Sequence, residues 1–536
     1  MNRVLGVLAA AVALVALGAS PAVAATGDLT FAGCVANDST QGCTDIPNSP
    51  LGGAEVVVSP DGRSVYASGV DALNNGIISE FSRAADGSLA YLGCIGDNSS
   101  QGCTDVPGAP LRGLSQITLS PDGRSLYAAS SIADSLAHFT RGDDGRLTFD
   151  QCLASNAVDG CTDVAGLNTP MTNASLVAVS PDGGSVYVRA GPPSGGDLVR
   201  FSADAGGDPS YVGCIADVAG NSCTASGGGR LNGGGGLVAT ADSIYTAGSD
   251  TDTIDRFDRS TFGFGQCISG AAFPGCSTLP ASPGLMRAAA VSPDGSSLYI
   301  VGTDISLGVI TQLSIGPGGA LSYVGCQADS QAGCLDLPNS PLGRPFDVAV
   351  SPDGDSVYTA GADLDGVATF RRAGDGSLAY ASCLANSVTQ GCGAVPGGPL
   401  DGADAVTVSP DGRNVYLLSS GSKSLAVFSR ETPSAPLTLD LAAKSKQKVG
   451  KLAVKATCSV ACDIEVRAKG KAGKKFKSKL ADGALQAGVA TKLKLKLKGK
   501  VLRKVDDRKG KVTFVATATT PAGASAEDSA KAKLKP

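Results

Sequence analysis

The stretch Glu55-Val-Val-Val-Ser-Pro-Asp-Gly-Arg-Ser-Val-Tyr-Ala67 decides the fold. Two short apolar runs, Glu55 to Val58 and Ser64 to Ala67, flank the tetrapeptide Ser59-Pro60-Asp61-Gly62. Proline presets φ for the first corner of a turn and glycine supplies the positive φ that closes it, so the runs read as two strands of a hairpin. Downstream come a third run, Ile77 to Phe81, an Asp86-Gly87 turn, and a fourth run, Leu89 to Cys94. Four short strands joined by turn chemistry, with no helical period, predict one blade of a propeller.

The tetrapeptide recurs at Ser120, Ser180, Ser292, Ser351 and Ser409, and a degraded form spans Ala239 to Ser243 before Ile244-Tyr245. A fixed period of this length marks a repeat architecture, and the repeats predict seven blades. An orphan fourth strand, Leu29 to Cys34, precedes the first repeat, while the last repeat, Asp404 to Phe428, carries only three runs. Joined, the two fragments complete one blade and close the ring, which removes the edges that an open array exposes. The expected fold is all-β: a seven-bladed β-propeller closed by an N-terminal strand, followed by a small β-sandwich.

Cysteines keep the same beat. Cys34 pairs with Cys43, Cys94 with Cys103, Cys152 with Cys161, Cys214 with Cys223, Cys267 with Cys276, Cys326 with Cys334 and Cys383 with Cys392, and successive first cysteines lie 60, 58, 62, 53, 59 and 57 residues apart. An eighth pair, Cys458 with Cys462, lies in the tail. Zinc sites space their paired ligands more closely, and the chain has one histidine, His138, so the pairs read as local disulfides, with no metal and no cofactor. Each of the first seven brackets the passage from the outermost strand of one blade to the innermost strand of the next. There the disulfides staple loops rich in Gly and Ser, and the seven loops form a stiff crown on one face.

Disulfides imply an oxidising compartment, and the N-terminus agrees. Arg3, the small and apolar stretch Val4 to Ala19, and Ala22-Val23-Ala24 read as a secretory signal over residues 1–25, too short for a retained span. No other apolar run reaches the roughly 18 residues of a membrane helix. The reading is a secreted, extracellular protein associated with the cell surface.

The net charge of −5 conceals an asymmetry. Residues 437–536 hold 22 Lys and 3 Arg against 8 acidic residues, and the remainder of the chain carries 19 basic and 41 acidic ones. Opposite fields indicate separate domains. The expected boundaries are a propeller over 26–430, a linker over 431–440 that contains Pro433-Ser434-Ala435-Pro436, and a basic domain over 441–536.

The repeated Ser-Pro-Asp-Gly-x-x-Val-Tyr, followed by a strand ending in Phe and a Gly-x-Leu turn, resembles the bacterial lactonase-like propellers with Tyr-Val-Thr-Asn type repeats. The resemblance covers residues 29–430, and this chain departs from it by a cysteine loop in every unit. It implies the fold, and it admits lactonases, cyclising enzymes and binding platforms alike.

Chemistry is sparse. His138, beside Phe139 in a third-strand position, reads as a partly exposed polar residue. No Gly-x-Ser-x-Gly elbow is present, and Gly227 to Gly236 has no Walker lysine. The Asp residues of the tetrapeptides read as turn formers, with calcium as the weaker alternative. The candidates lie where the inner strands begin: Glu55, Arg112, Gln116, Arg230, Arg287, Arg344, Asp347 and Asp404. Blade symmetry points these positions toward one axis. There they either pair with one another and water, or converge on a small polar or anionic ligand or a protein partner. An enzyme of the lactonase or cycloisomerase kind would use Glu55, Asp347 or Asp404 as base and an arginine to steady an oxyanion.

In the tail, Lys451 to Thr457, Ile464 to Ala468, Thr491 to Lys498 and Lys511 to Thr517 read as strands, with Thr520-Pro521-Ala522-Gly523 as a late turn. The pattern resembles a small immunoglobulin-like sandwich of the kind appended to exported bacterial proteins. Thr491 to Lys500 alternates Leu493, Leu495 and Leu497 with Lys492, Lys494, Lys496 and Lys498, which is the period of a strand and not of a helix. The lysine face is either a solvated surface or an attachment face for an anionic cell-wall polymer, a phospholipid surface or the acidic propeller. Nucleic acid is disfavoured, because no aromatic residues interleave the lysines. The reading is therefore a disulfide-stapled binding scaffold with a basic attachment domain, and its alternative is a lactonase-like or cycloisomerase-like enzyme at the channel mouth.

Overall fold

The computed structural model describes residues 26–39, 41–155, 160–164, 170–191, 195–217, 223–226, 228, 230–304, 307–432, 437–486, 488–505, 509–519 and 525–535. The expected signal, the prolines of the linker and the turn Thr520 to Gly523 lie outside the described residues. The chain divides into two compact units between Thr432 and Pro433.

In the first unit the described residues form seven five-stranded sheets. The first repeat shows how the sequence builds one. Glu55–Val58, Ser64–Val70, Gly76–Arg83 and Leu89–Gly96 pair antiparallel in chain order, and Thr104–Asp105 adds a fifth strand. Gly62 closes the first turn at φ 69°, a conformation that an L-residue adopts only at a cost. Ser59 Oγ donates to Asp61 Oδ1 and receives the Ser64 N–H, so the tetrapeptide locks its own hairpin.

The fifth strand departs from the expectation of four. It has two residues and pairs parallel with the fourth, Ile95 with Thr104 and Gly96 with Asp105. The reason is the disulfide: Cys94 and Cys103 hold the returning chain beside the strand it has just left, at a Cα separation of 4.7 Å. The other six cysteine loops of this unit are bonded in the same local way. Cys34 is joined to Cys43, Cys152 to Cys161, Cys214 to Cys223, Cys267 to Cys276, Cys326 to Cys334 and Cys383 to Cys392, as the spacing predicts. In the seventh sheet Leu29–Ala36 pairs antiparallel with Ser424–Arg430, and Thr44–Asp45 supplies the fifth strand. The first strands of consecutive repeats pack on one another, and that of the seventh packs on that of the first. Between neighbouring sheets lie apolar clusters, six of them built around a fully buried Tyr of the second strand and Phe of the third, such as Tyr66 with Phe139, while the one around Tyr245 has Leu313 in the Phe place.

The second unit has two sheets around one core. Leu439–Ala442, Leu452–Cys458 and Thr491–Leu495 form one. Lys446–Lys448, Ser525–Lys535, Gly510–Thr519, Cys462–Ala472 and Lys474–Lys477 form the other in that order, and Ala481–Leu485 also pairs with Cys462–Ala472. The disulfide between Cys458 and Cys462 links the end of a strand in one sheet to the start of a strand in the other. The lysine-rich strand stops at Leu495, and a short helix, Gly499–Val505, follows where the alternation predicts that the strand runs on. Leu495 is buried and Leu497 packs on the core, so the apolar alternation outlasts the pairing. Among the described residues no helix is long and apolar enough to cross a membrane.

Candidate functional site

All seven first strands line one cavity of about 320 Å³. Two kinds of position reach it. The deeper set is Glu55, Gln116, Leu176, Gly236, Ala288, Asp347 and Ala405, each just ahead of a buried residue except Ala288, which precedes the half-buried Ala289. Polar groups occupy three of these places and small or apolar ones the other four.

The second set comes from β-bulges. Register slips between Leu114 and Gln116, Met286 and Ala288, Pro345 and Asp347, and Ala403 and Ala405. The extra residues are Ser115, Arg287, Phe346 and Asp404, and all four line the cavity. A bulge turns a side chain out of strand alternation, which is how a strand end is re-aimed toward a site. Arg287 and Asp404 are among the sequence candidates, and Ser115 and Phe346 are not.

The deep polar groups are knitted from strand to strand. Gln116 Nε2 donates to Glu55 Oε2 at 3.2 Å, and Gln116 Oε1 accepts the Val177 N–H at 2.8 Å. Asp347 accepts N–H bonds from Val348 at 2.7 Å and from Val406 at 2.8 Å. Glu55 also accepts from Val56 N at 3.0 Å. Burial, and after it the charge of Asp347, push Glu55 up to about 8 against these hydrogen bonds. Burial raises Asp347 as well, to about 6. The two carboxyls titrate as a pair, and at neutral pH the pair retains a proton. Burial likewise raises Asp404, whose Oδ2 accepts the Ser420 N–H at 3.1 Å. The same first strands line a second cavity of about 370 Å³, to which Glu55, Gln116 and Asp347 are common. Those three therefore stand where the two spaces meet.

Of the eight candidates, Glu55, Gln116, Arg287, Asp347 and Asp404 line the first cavity and Arg112, Arg230 and Arg344 do not. Arg287 is exposed, with its guanidinium 5.0 Å from the Phe346 ring centroid. Arg344 approaches the same ring at 5.3 Å and pairs with Asp363 at 2.8 Å, so it supports the rim. Arg230 is buried over Phe264 and donates to the Pro274 carbonyl, and Arg112 is exposed on its turn.

His138 corrects the reading of a partly exposed residue. It is fully buried, stacks on Tyr127 at 5.1 Å and makes a 3.1 Å hydrogen bond from Nδ1 to Asp208. The next repeat covers it. The described residues contain no group of three or more His, Cys, Asp or Glu that could hold a metal ion. Lys492, Lys494, Lys496 and Lys498 are all exposed on the second unit.

No protein-family model matches the chain, and no curated protein matches it. Solved structures similar to it include a putative 6-phosphogluconolactonase from Bacteroides uniformis, at 16% identity and TM-score 0.42, covering 62% of this chain and 84% of that one. The periplasmic gluconolactonase of Pseudomonas aeruginosa matches at 16% identity and TM-score 0.41 over 62% of this chain and 85% of its own. The β-propeller domain of Cps50 (Swd1) from Myceliophteria thermophila matches at 11% and 0.45, over 76% and 99%. No residue role is carried over from any of them.

Proposed function

We propose that this chain is an exported, extracellular seven-bladed β-propeller, ring-closed by its N-terminal strand, that binds a small polar or anionic ligand in its central cavity and carries an immunoglobulin-like basic domain for surface attachment. Closure is supported by the pairing of Leu29–Ala36 with Ser424–Arg430 and by the packing of the seventh first strand on the first. Export is supported by eight disulfides and no free cysteine among the described residues.

The observation that carries the binding function is the ring of bulges, which brings Ser115, Arg287, Phe346 and Asp404 to the rim above Glu55, Gln116 and Asp347. Such a rim offers one exposed guanidinium for a carboxylate, and the deep carboxyls and amide offer donors and acceptors for hydroxyls. A sugar acid fits that chemistry.

Binding is favoured over catalysis by how the deep groups are engaged. Asp347 is tied to two backbone N–H groups, and among the described residues only one arginine lines the cavity. A base held protonated at neutral pH is poorly poised to take a proton. Calorimetric titration with a panel of aldonic and aldaric acids should give saturable binding that Arg287→Gln weakens roughly tenfold, the worth of one charge-assisted pair. Absence of binding across the panel, with turnover of the matching lactones, would instead support the enzyme reading.

A further inference from the structure

The turns of the first unit repeat a contact that has nothing to do with the central cavity. Where the third strand of one repeat ends, an arginine reaches back to the tetrapeptide aspartate and the second-strand tyrosine of the repeat before it. Arg141 donates to Asp61 at 3.0 Å, to Tyr66 Oη at 2.9 Å and to Ser64 Oγ at 2.9 Å. Arg372 meets Asp294 and Tyr299 at 2.8 Å each, and Arg430 meets Asp353 at 2.8 Å and Tyr358 at 2.7 Å. Arg83 does the same to Asp411 at 2.9 Å and Tyr416 at 2.7 Å. Arg259 also pairs with Asp182.

Register identifies the equivalent residues. The position opposite the first residue of the fourth strand is Arg83, Arg141 and Arg372, but Ala203 in the third repeat and Ile315 in the fifth. Facing Ile315, the turn Thr240 to Ser243 is two residues shorter than Ser59 to Ser64, so its aspartate, Asp242, takes the backbone place of Arg63 and not of Asp61, and Arg256 of the same repeat donates to Ser243 Oγ at 2.9 Å. Facing Ala203 only the arginine is lost. Asp122 still accepts from Ser120 Oγ at 2.5 Å and from Arg124 N at 3.1 Å, as Asp61 does in the filled copy, and Tyr127 still donates to the Gly207 carbonyl at 2.6 Å.

A cavity of about 560 Å³ lies there, lined by Asp122, Ser125 and Tyr127 on one side and by Ala203, Asp204 and Gly207 on the other. Arg124, the counterpart of Arg63, also borders it, and its charge acts on Asp122 where Arg141 acts on Asp61, but no side-chain hydrogen bond joins Arg124 to Asp122 among the described residues. Beneath Gly207 lies His138. Its Nε2 is buried without a hydrogen-bond partner among the described residues.

We infer that this cleft is a guanidinium-binding site: a ligand's guanidinium takes the place that Arg141 takes one repeat earlier, bonded to Asp122, Tyr127 Oη and Ser125 Oγ. The acceptors stand in the geometry that recognises a planar fork elsewhere in the same chain, and a fork is matched poorly by an ammonium.

The test is calorimetric titration of the whole protein with agmatine, with the peptide acetyl-Gly-Arg-Gly-amide, and with n-butylamine. Both guanidinium probes should bind, and butylamine should bind roughly tenfold more weakly or worse. The stronger of the two guanidinium probes tells whether the natural source is a small molecule or a polypeptide. Ala203→Arg should refill the cleft from within, abolish binding and leave the unfolding midpoint equal or higher. Asp122→Asn, which keeps an acceptor for the turn, should weaken binding without unfolding the protein. No binding by the wild type, or equal binding by Ala203→Arg, overturns the assignment.

Discussion

Single side chains in the first unit are held by neighbours from the next repeat, and their protonation follows from that. Glu55 is the sharpest case. Its folded-state pKa lies above the ordinary glutamate range because burial and Asp347 both oppose its charge. The folded protein therefore holds a proton that the unfolded chain releases, so stability is greatest below the ordinary range and falls as pH rises toward about 8. Glu55→Gln removes the titration and keeps one of the two oxygens that accept from Gln116 and Val56. In urea melts the wild type should lose roughly 1–2 kcal/mol relative to the variant between pH 4 and pH 8, a discounted figure because the cavity admits water. A wild-type and variant pair with parallel pH profiles would rule out the raised carboxyl.

At the level of elements, two segments behave differently from their neighbours for local reasons. The two-residue fifth strands exist because a disulfide loop of about ten residues presses the returning chain against the fourth strand, a closure worth roughly 2.5–3 kcal/mol in the chain-entropy model. The lysine-rich strand of the second unit is held by its leucines, with Leu493 opposite Val454 and Leu495 opposite Leu452 in the neighbouring strand. Its exposed lysines contribute little to that packing. Changing Lys492, Lys494, Lys496 and Lys498 to Gln should therefore alter stability by less than about 1 kcal/mol. If the face attaches the protein to a polyanion, sedimentation with isolated cell walls should fall with the same change. Retention of the wild type should also decline as salt shortens the screening length from about 10 Å at 0.1 M to about 3 Å at 1 M. Retention indifferent to both would leave these lysines as a solvated surface.

For the first unit as a whole the decisive pairing is between its two ends. Leu29–Ala36 covers an edge of Ser424–Arg430 over seven paired positions, and Val35 lies in the cluster that also holds Tyr416 and Leu425. A protein truncated to start at Thr44 loses that strand, that core contact and Cys43 together. It should be less stable by about 4 kcal/mol or more, and its exposed strand should pair with another chain, seen as higher mass in light scattering. A monomer of unchanged midpoint would show that the ring does not depend on this strand.

The repeat, the all-β class and the cysteine pairing were legible along the chain because each rests on local rules: turn chemistry at Ser59 to Gly62, period two in the strands, and a loop too short to bond elsewhere. Glu55, Gln116 and Asp347 were legible as positions, since equivalent places in a repeat share a direction, whereas Arg287 and Asp404 reach the cavity through bulges. What the tertiary structure alone decided were the contacts between repeats. A one-residue bulge aims Phe346 and Ser115 at the cavity. The covering repeat buries His138, and the same packing makes Arg141 a partner of Asp61, 80 residues earlier. Sequence spacing carries the strands, but an empty arginine place at Ala203 has meaning only once two repeats face each other across it.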